Sequence, residues 1–236
     1  MHAFANPARF LKIARPLTPI LGWLGAAFIL GGAYAGLFTT PPDYLQGETV
    51  RIMYIHVPAA WLGMAGWSGI AIASIVQLVW RHPLAGVAAR AIAVPGALFT
   101  ALCLATGSLW GRPAWGTWWE WDARLTSVLI LFFMYIGYIA LSDSYSTQER
   151  GKKICAIMAL VGFVNIPIIR FSVEWWSTLH QPASIIRSGG VAIDNTMLIP
   201  LFSMGIAFML IYFTLLLIRM KTALINQKIR RLQFNG

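Results

Sequence analysis

Histidine is scarce in this chain, and two of its four copies stand in matching surroundings. His56 lies in His-Val-Pro and His180 in His-Gln-Pro, each a few residues from tryptophan (Trp61; Trp175 and Trp176). Neutral imidazole is a common ligand of transition metals. A zinc centre asks for further cysteine, histidine or carboxylate ligands, and neither position has such a cluster beside it. Two histidines suffice as axial ligands where a macrocycle supplies the rest of the coordination, as in haem. The other two, His2 and His82, lie in a tail and a basic loop and are read as incidental. Cys103 and Cys155 form no Cys-x-x-Cys or Cys-x-x-Cys-His pattern, which argues against thiol redox chemistry and covalent haem attachment.

A second set of residues suits a flat macrocycle. The stretch WGTWWEWDARLTS, Trp115 to Ser127, packs four tryptophans together with Glu120, Asp122 and Arg124. If residues 115–125 form a helix along a membrane surface, Trp115, Trp118 or Trp119, and Asp122 recur at i, i+3/i+4 and i+7 on one face. Such a shelf of indole would stack on a porphyrin, and Asp122 would orient an indole or imidazole N–H. Arg51, Arg124 and Arg187 are candidates to meet its propionates. Two readings stand side by side: a haem site, or structural interface histidines beside a dense aromatic anchor. The anchor explains one or two tryptophans but not the acids and the arginine among them.

The elements that must position these residues are membrane helices. The chain is 58% hydrophobic and only 11% charged, with a mean hydropathy of +0.68, which places it in the membrane class. Six apolar segments, near 18–38, 57–80, 88–110, 125–142, 154–171 and 196–218, are long enough to cross a hydrocarbon core of about 30 Å. Backbone groups in lipid must be satisfied internally, so these are helices. The fifth contains Asn165 and Pro167 and has the least defined ends. The first follows Arg9, Lys12 and Arg15; its apolar run exceeds that of a signal peptide, so it is read as a permanent helix.

Orientation follows from the basic residues. Thirteen of the eighteen Lys and Arg fall in the N-terminus, residues 81–90, residues 142–153 and the tail 219–236, whereas six of the eight acids fall on the other side. The positive-inside bias predicts both termini in the cytoplasm and the Trp-rich stretch outside. The expected fold is an all-α integral membrane domain over residues 1–236 with six transmembrane helices. Outer loops span 39–56 and 172–195, and an amphipathic Trp-rich segment, 111–127, lies on the outer face between helices three and four. Eight of the eleven tryptophans fall on or near that face, which therefore carries the function. The net charge of +10 alternates with apolar runs instead of forming one patch, so it marks topology and not nucleic-acid binding. The basic tail is read as an anchor near anionic lipid.

The Trp-rich stretch resembles the WWD signature, W-G-x-x-W-x-W-D, of the haem-handling membrane proteins of cytochrome c maturation. Trp115, Gly116, Trp119, Trp121 and Asp122 occupy all five fixed positions. Larger members of that group have more helices, and six helices in 236 residues are similar to the smallest branch, the haem exporter protein C (CcmC) family. The resemblance covers essentially the whole chain. It implies non-covalent, b-type haem held at the outer face of the bacterial inner membrane, on a platform of Trp115, Gly116, Trp118, Trp119, Trp121 and Asp122. His56 and His180 match the family's axial ligands to the haem iron. It further implies presentation of the haem to a membrane-anchored chaperone, CcmE, for covalent loading. Association with the ABC transporter subunits CcmA and CcmB and the small membrane protein CcmD is also implied. Such a chain is an assembly factor and not an enzyme. Glu120 stands where the signature requires no acid.

Two other functions fit less well. An electron-transfer subunit with b-type haem usually carries ligand histidines inside helices, often as two pairs at two depths, whereas one pair stands here at loop margins. A permease would place ionisable residues mid-membrane, and the predicted spans hold almost none.

Overall fold

A computed structural model of the protein describes residues 6–145, 149–181, 185 and 190–234. Among the described residues seven α-helices carry the fold: α1 Pro7–Tyr34, α2 Met53–Trp80, α3 Ala85–Trp115, α4 Ala123–Ser144, α5 Glu149–Gly162, α6 Asn165–Trp175 and α7 Asn195–Phe234. A π-helical turn, Ala35–Thr39, extends α1, and a 3-10 turn, Glu48–Ile52, leads into α2. Six helical stretches are long and apolar enough to cross a membrane, with α5 and α6 together making the fifth.

That fifth span was expected as one helix over 154–171. It breaks at Phe163 and Val164 for a local reason. Pro167 has no N–H to give the Phe163 carbonyl four residues back, and this carbonyl accepts from Ile166 N instead, at 3.0 Å. Asn165 turns its amide away from its own helix and donates to Ser127 O on α4 at 2.9 Å. The bend therefore anchors α6 to the start of α4.

The Trp-rich segment also departs from expectation. It is not a surface helix over 115–125: α3 runs through to Trp115, and α4 begins at Ala123. Gly116 ends α3 in the left-handed conformation, φ 79°, which costs glycine nothing, and its N–H closes on Arg112 O at 3.1 Å. Asp122, extended at φ −82° and ψ 168°, caps the N-terminus of α4. Residues 116–122 thus form a short non-helical strap between two spans.

The helices pack through small residues and buried aromatics. Gly63 and Gly66 on α2 meet Thr100 and Gly96 on α3, and a Cβ on Gly96 would run into the Tyr135 ring of α4. Close approach of this kind is how membrane helices gain contact without a hydrophobic driving force. Two of the largest buried aromatics have their polar tips paired: Tyr135 Oη donates to Gly63 O at 2.7 Å and Trp67 Nε1 to Ala159 O at 3.1 Å. At one end of the bundle, Leu84, Val87, Ala91, Met220 and Leu224 pack with Phe10 and Leu11. The beginning of α1, the α2–α3 turn and the last part of α7 therefore share one end. The strap and both candidate histidines lie at the other.

Candidate functional site

His56 stands on the first turn of α2, not in the loop before it, because that helix starts at Met53. Its side chain is buried, at 8% exposure. Its Nδ1 lies 3.0 Å from Cys103 O and 3.1 Å from Thr106 Oγ1, both on α3. A carbonyl only accepts, so Nδ1 carries the proton and Nε2 keeps the lone pair. Thr106 spends its own hydroxyl proton on Leu102 O, at 2.7 Å, and can therefore accept from the imidazole. Gly107 leaves room for the ring: a Cβ there would sit 2.9 Å from His56 Cε1. Trp110 meets the imidazole edge-on, with centroids 5.7 Å apart, and is itself held by a 2.8 Å bond from its Nε1 to Gln46 Oε1.

His180 comes from the irregular chain after α6. Its ring centroid lies 6.3 Å from that of His56, with the two planes inclined by 26°. Trp115 approaches it edge-on at 6.0 Å. His180 Nδ1 is buried without a hydrogen-bond partner. Burial, the Arg124 guanidinium and the His56 ring push this imidazole down to about 4, so it is neutral at physiological pH. The two imidazoles thus meet from segments far apart in the sequence.

Both line a cavity of about 350 Å³. The α3 wall is a stripe at four-residue spacing, Cys103, Gly107, Gly111 and Trp115, on one helix face. Along α2 the lining runs from Met53 to Met64, and from His56 to Met64 it reaches roughly 12 Å into the bundle at the helical rise. The far wall is apolar, with Val128, Leu131 and Ile169, whereas Gln46, Arg124 and Arg170 bring polar groups to the lining. Arg124 is fixed by Ser172 Oγ at 3.1 Å and Arg170 O at 3.3 Å. Arg170 pairs with Glu174 at 3.6 Å.

Of the expected platform, Trp115 and Trp119 line the cavity and Gly116 and Asp122 shape the strap. Trp119 Nε1 is buried and unpartnered. Trp118 and Trp121 are exposed, the latter at 73%, and do not line the cavity. Asp122 holds no indole or imidazole N–H. Its Oδ1 accepts from Leu125 N at 2.8 Å, an amide left unpaired at the N-terminus of α4, and its Oδ2 from Leu179 N at 3.2 Å. Among the arginines, Arg51 does not line the cavity; it binds Glu48 and the Gly36–Thr40 turn. Arg187 lies outside the described residues.

Several site residues escaped the sequence reading: Gln46, Thr106, Gly107, Trp110 and Arg170. The glycine spacing in Gly107-x-x-x-Gly111, one turn before Trp115, was the available signal for a helix face kept clear. Among the described residues, no three of His, Cys, Asp and Glu gather into a set that could hold a metal ion.

The model of the heme exporter protein C family, CcmC, matches residues 1–235. Heme exporter protein C of Bradyrhizobium diazoefficiens is 54% identical over 232 residues, covering 97% of this chain and 87% of the relative. The proteins of the same name from Haemophilus influenzae and Escherichia coli are 43% and 41% identical, each over 98% of this chain and over 94% and 93% of their own lengths.

Proposed function

The chain belongs to the heme exporter protein C family, and on that footing we propose that it binds haem between His56 and His180 and presents it for c-type cytochrome assembly. The observation that carries this reading is the imidazole pair. Two imidazoles bonded to one metal from opposite sides, each nitrogen about 2 Å away, stand with ring centres about 6 Å apart, and these stand 6.3 Å apart. The apolar cavity beside them suits a porphyrin, and the buried, unpartnered His180 Nδ1 and Trp119 Nε1 mark a space built for a polar or metal-bearing occupant. When bound, haem supplies four equatorial nitrogens and the iron.

Every other contribution comes from the chain. His56 and His180 would hold the iron, Trp115 and Trp119 would bound the ring, and Arg124 with Arg170 would neutralise its propionates. The haem is b-type and held without a covalent bond. The chain binds and positions and supplies no acid, base or nucleophile, so it acts as an assembly factor. The positive-inside bias sets the cavity on the periplasmic side of a bacterial inner membrane, with both termini cytoplasmic. From there haem passes to the chaperone CcmE, within a complex that includes CcmA, CcmB and CcmD.

An absorption spectrum of the detergent-purified protein with haemin tests this reading. The wild type is expected to give a low-spin bis-histidine spectrum, and His56→Ala and His180→Ala each to lose it. Identical spectra for all three would remove both histidines from the iron.

A further inference from the structure

The two imidazoles are built into the fold in different ways. His56 sits on a helix turn, buried, with its ring clamped between the α3 backbone and Trp110. Its Nδ1–H is shared between the Cys103 carbonyl and the Thr106 hydroxyl. Such a bond fixes the tautomer, aims Nε2 at the metal and makes it a stronger donor, and losing one typically costs about 10- to 100-fold in metal affinity. His180 is supported differently, by a backbone hydrogen bond at its own neighbour Gln181 and not by a packed helix. Its Nδ1 is unpartnered, it is only half-buried, and no helix carries it, since α6 ends at Trp175. The chain beside it is tethered through Leu179 N to Asp122, one residue away from the ring it must hold. Irregular backbone held mainly by its own neighbours moves more readily than a helix turn packed against another helix.

We propose that His56, anchored on a packed helix turn, is the retained axial ligand and His180, carried by irregular chain, the exchangeable one, and that Thr106 is a positioning residue for His56. This rests on the bis-histidine reading above. Release then proceeds by ligand exchange: the bond from iron to His180 breaks, and a bond forms to an incoming neutral nitrogen donor such as an imidazole. Iron keeps its oxidation state, and no proton need move. The recipient's ligand enters on the loop side, while His56 holds the metal from the bundle side until the transfer is complete.

The test uses full-length protein in detergent, loaded with haemin, with free imidazole as the competing donor and apomyoglobin as the haem acceptor. His180→Ala is expected to retain haem and to regain a low-spin spectrum when imidazole is added. His56→Ala is expected to lose haem to apomyoglobin about 10-fold faster or more, with imidazole failing to slow the loss. Thr106→Val, which keeps the shape but cannot accept the Nδ1 bond, is expected to speed haem loss several-fold, and Thr106→Ser to restore the wild-type rate. Equal loss rates and equal imidazole responses in the two histidine variants would overturn the proposal, as would faster loss from His180→Ala. A Thr106→Val protein that behaves as wild type would remove Thr106 from it. A wild-type protein with no low-spin spectrum would instead refute the underlying bis-histidine reading.

Discussion

Asp122 reaches across 57 residues of sequence to Leu179: its Oδ2 accepts the Leu179 amide at 3.2 Å while its Oδ1 caps α4 at Leu125, 2.8 Å away. One carboxylate therefore joins the strap that carries Trp119 to the chain that carries His180. Neither segment is helical, so each depends on such cross-links for its position.

The two oxygens can be separated by mutation. Asp122→Asn keeps one carbonyl oxygen for the helix cap, but its amide nitrogen cannot accept from Leu179. Thermal stability in detergent is expected to change little, while haemin binding weakens about 10-fold as the His180 side loosens. Asp122→Ala loses both bonds and is expected to lose a further ~1 kcal/mol through the missing cap. A haemin titration and a melting curve on the same preparations check both expectations. An Asn variant that binds haemin as the wild type does would show that the Leu179 bond positions nothing.

The membrane helices were largely legible in the sequence because hydropathy over some twenty residues depends on composition alone. What hydropathy blurred were helix ends that carry polar work. The turn of α2 holding Met53 to His56 and the approach through Arg51 lowered the apolar average just where the helix begins. At the strap, helical spacing of the tryptophans suggested a surface helix, yet two stronger local signals contradicted it. Glycine at 116 and aspartate at 122 are residues that end and start helices. The histidine pair was visible because histidine is rare here. The Gln46–Trp110–His56 chain and the Thr106 bond were not, because each joins residues distant in sequence.

Gly107 gives a sharp steric test. A Cβ there would lie 2.9 Å from His56 Cε1, so the ring must turn and strain its bond to Cys103 O. Alanine is also the better helix former by about 1 kcal/mol, so the helix itself gains. Gly107→Ala is expected to fold and melt as the wild type or slightly above it, yet to bind haemin at least about 10-fold more weakly with a disturbed low-spin band. Unchanged binding would mean that the imidazole has slack the packing does not suggest.

Gly116 tests the strap from its other end. At φ 79° an alanine is strained by roughly 1–2 kcal/mol, whereas asparagine visits this region more readily. Gly116→Ala is expected to lower the melting temperature and weaken haemin binding together, since α3 would end in a different direction and Trp115 would move with it. Gly116→Asn should recover most of both. Recovery of stability without recovery of binding would place the glycine's importance in its lack of a side chain and not in its backbone angle.

The bond from Trp110 to Gln46 supports the last prediction. The Trp110 ring stands edge-on to His56, and its Nε1–H has Gln46 Oε1 as partner at 2.8 Å. Gln46→Leu keeps similar bulk but removes the acceptor, and an indole N–H left unpaired in a partly buried site costs about 1–3 kcal/mol. The ring's remedy is to rotate toward another acceptor or water, and rotation withdraws the edge that steadies the imidazole. Gln46→Leu is therefore expected to weaken haemin binding several-fold and to broaden the low-spin spectrum, with little change in secondary structure by circular dichroism. Gln46→Glu keeps an acceptor oxygen and should preserve the ring's position, though its charge beside the cavity would favour Arg124 and Arg170 over the propionates. Binding in the Glu variant should then recover only in part and improve as pH falls and the carboxyl is protonated. If the Leu variant bound haemin as tightly as wild type, with an unchanged spectrum, Trp110 would be packing beside His56 without steadying it.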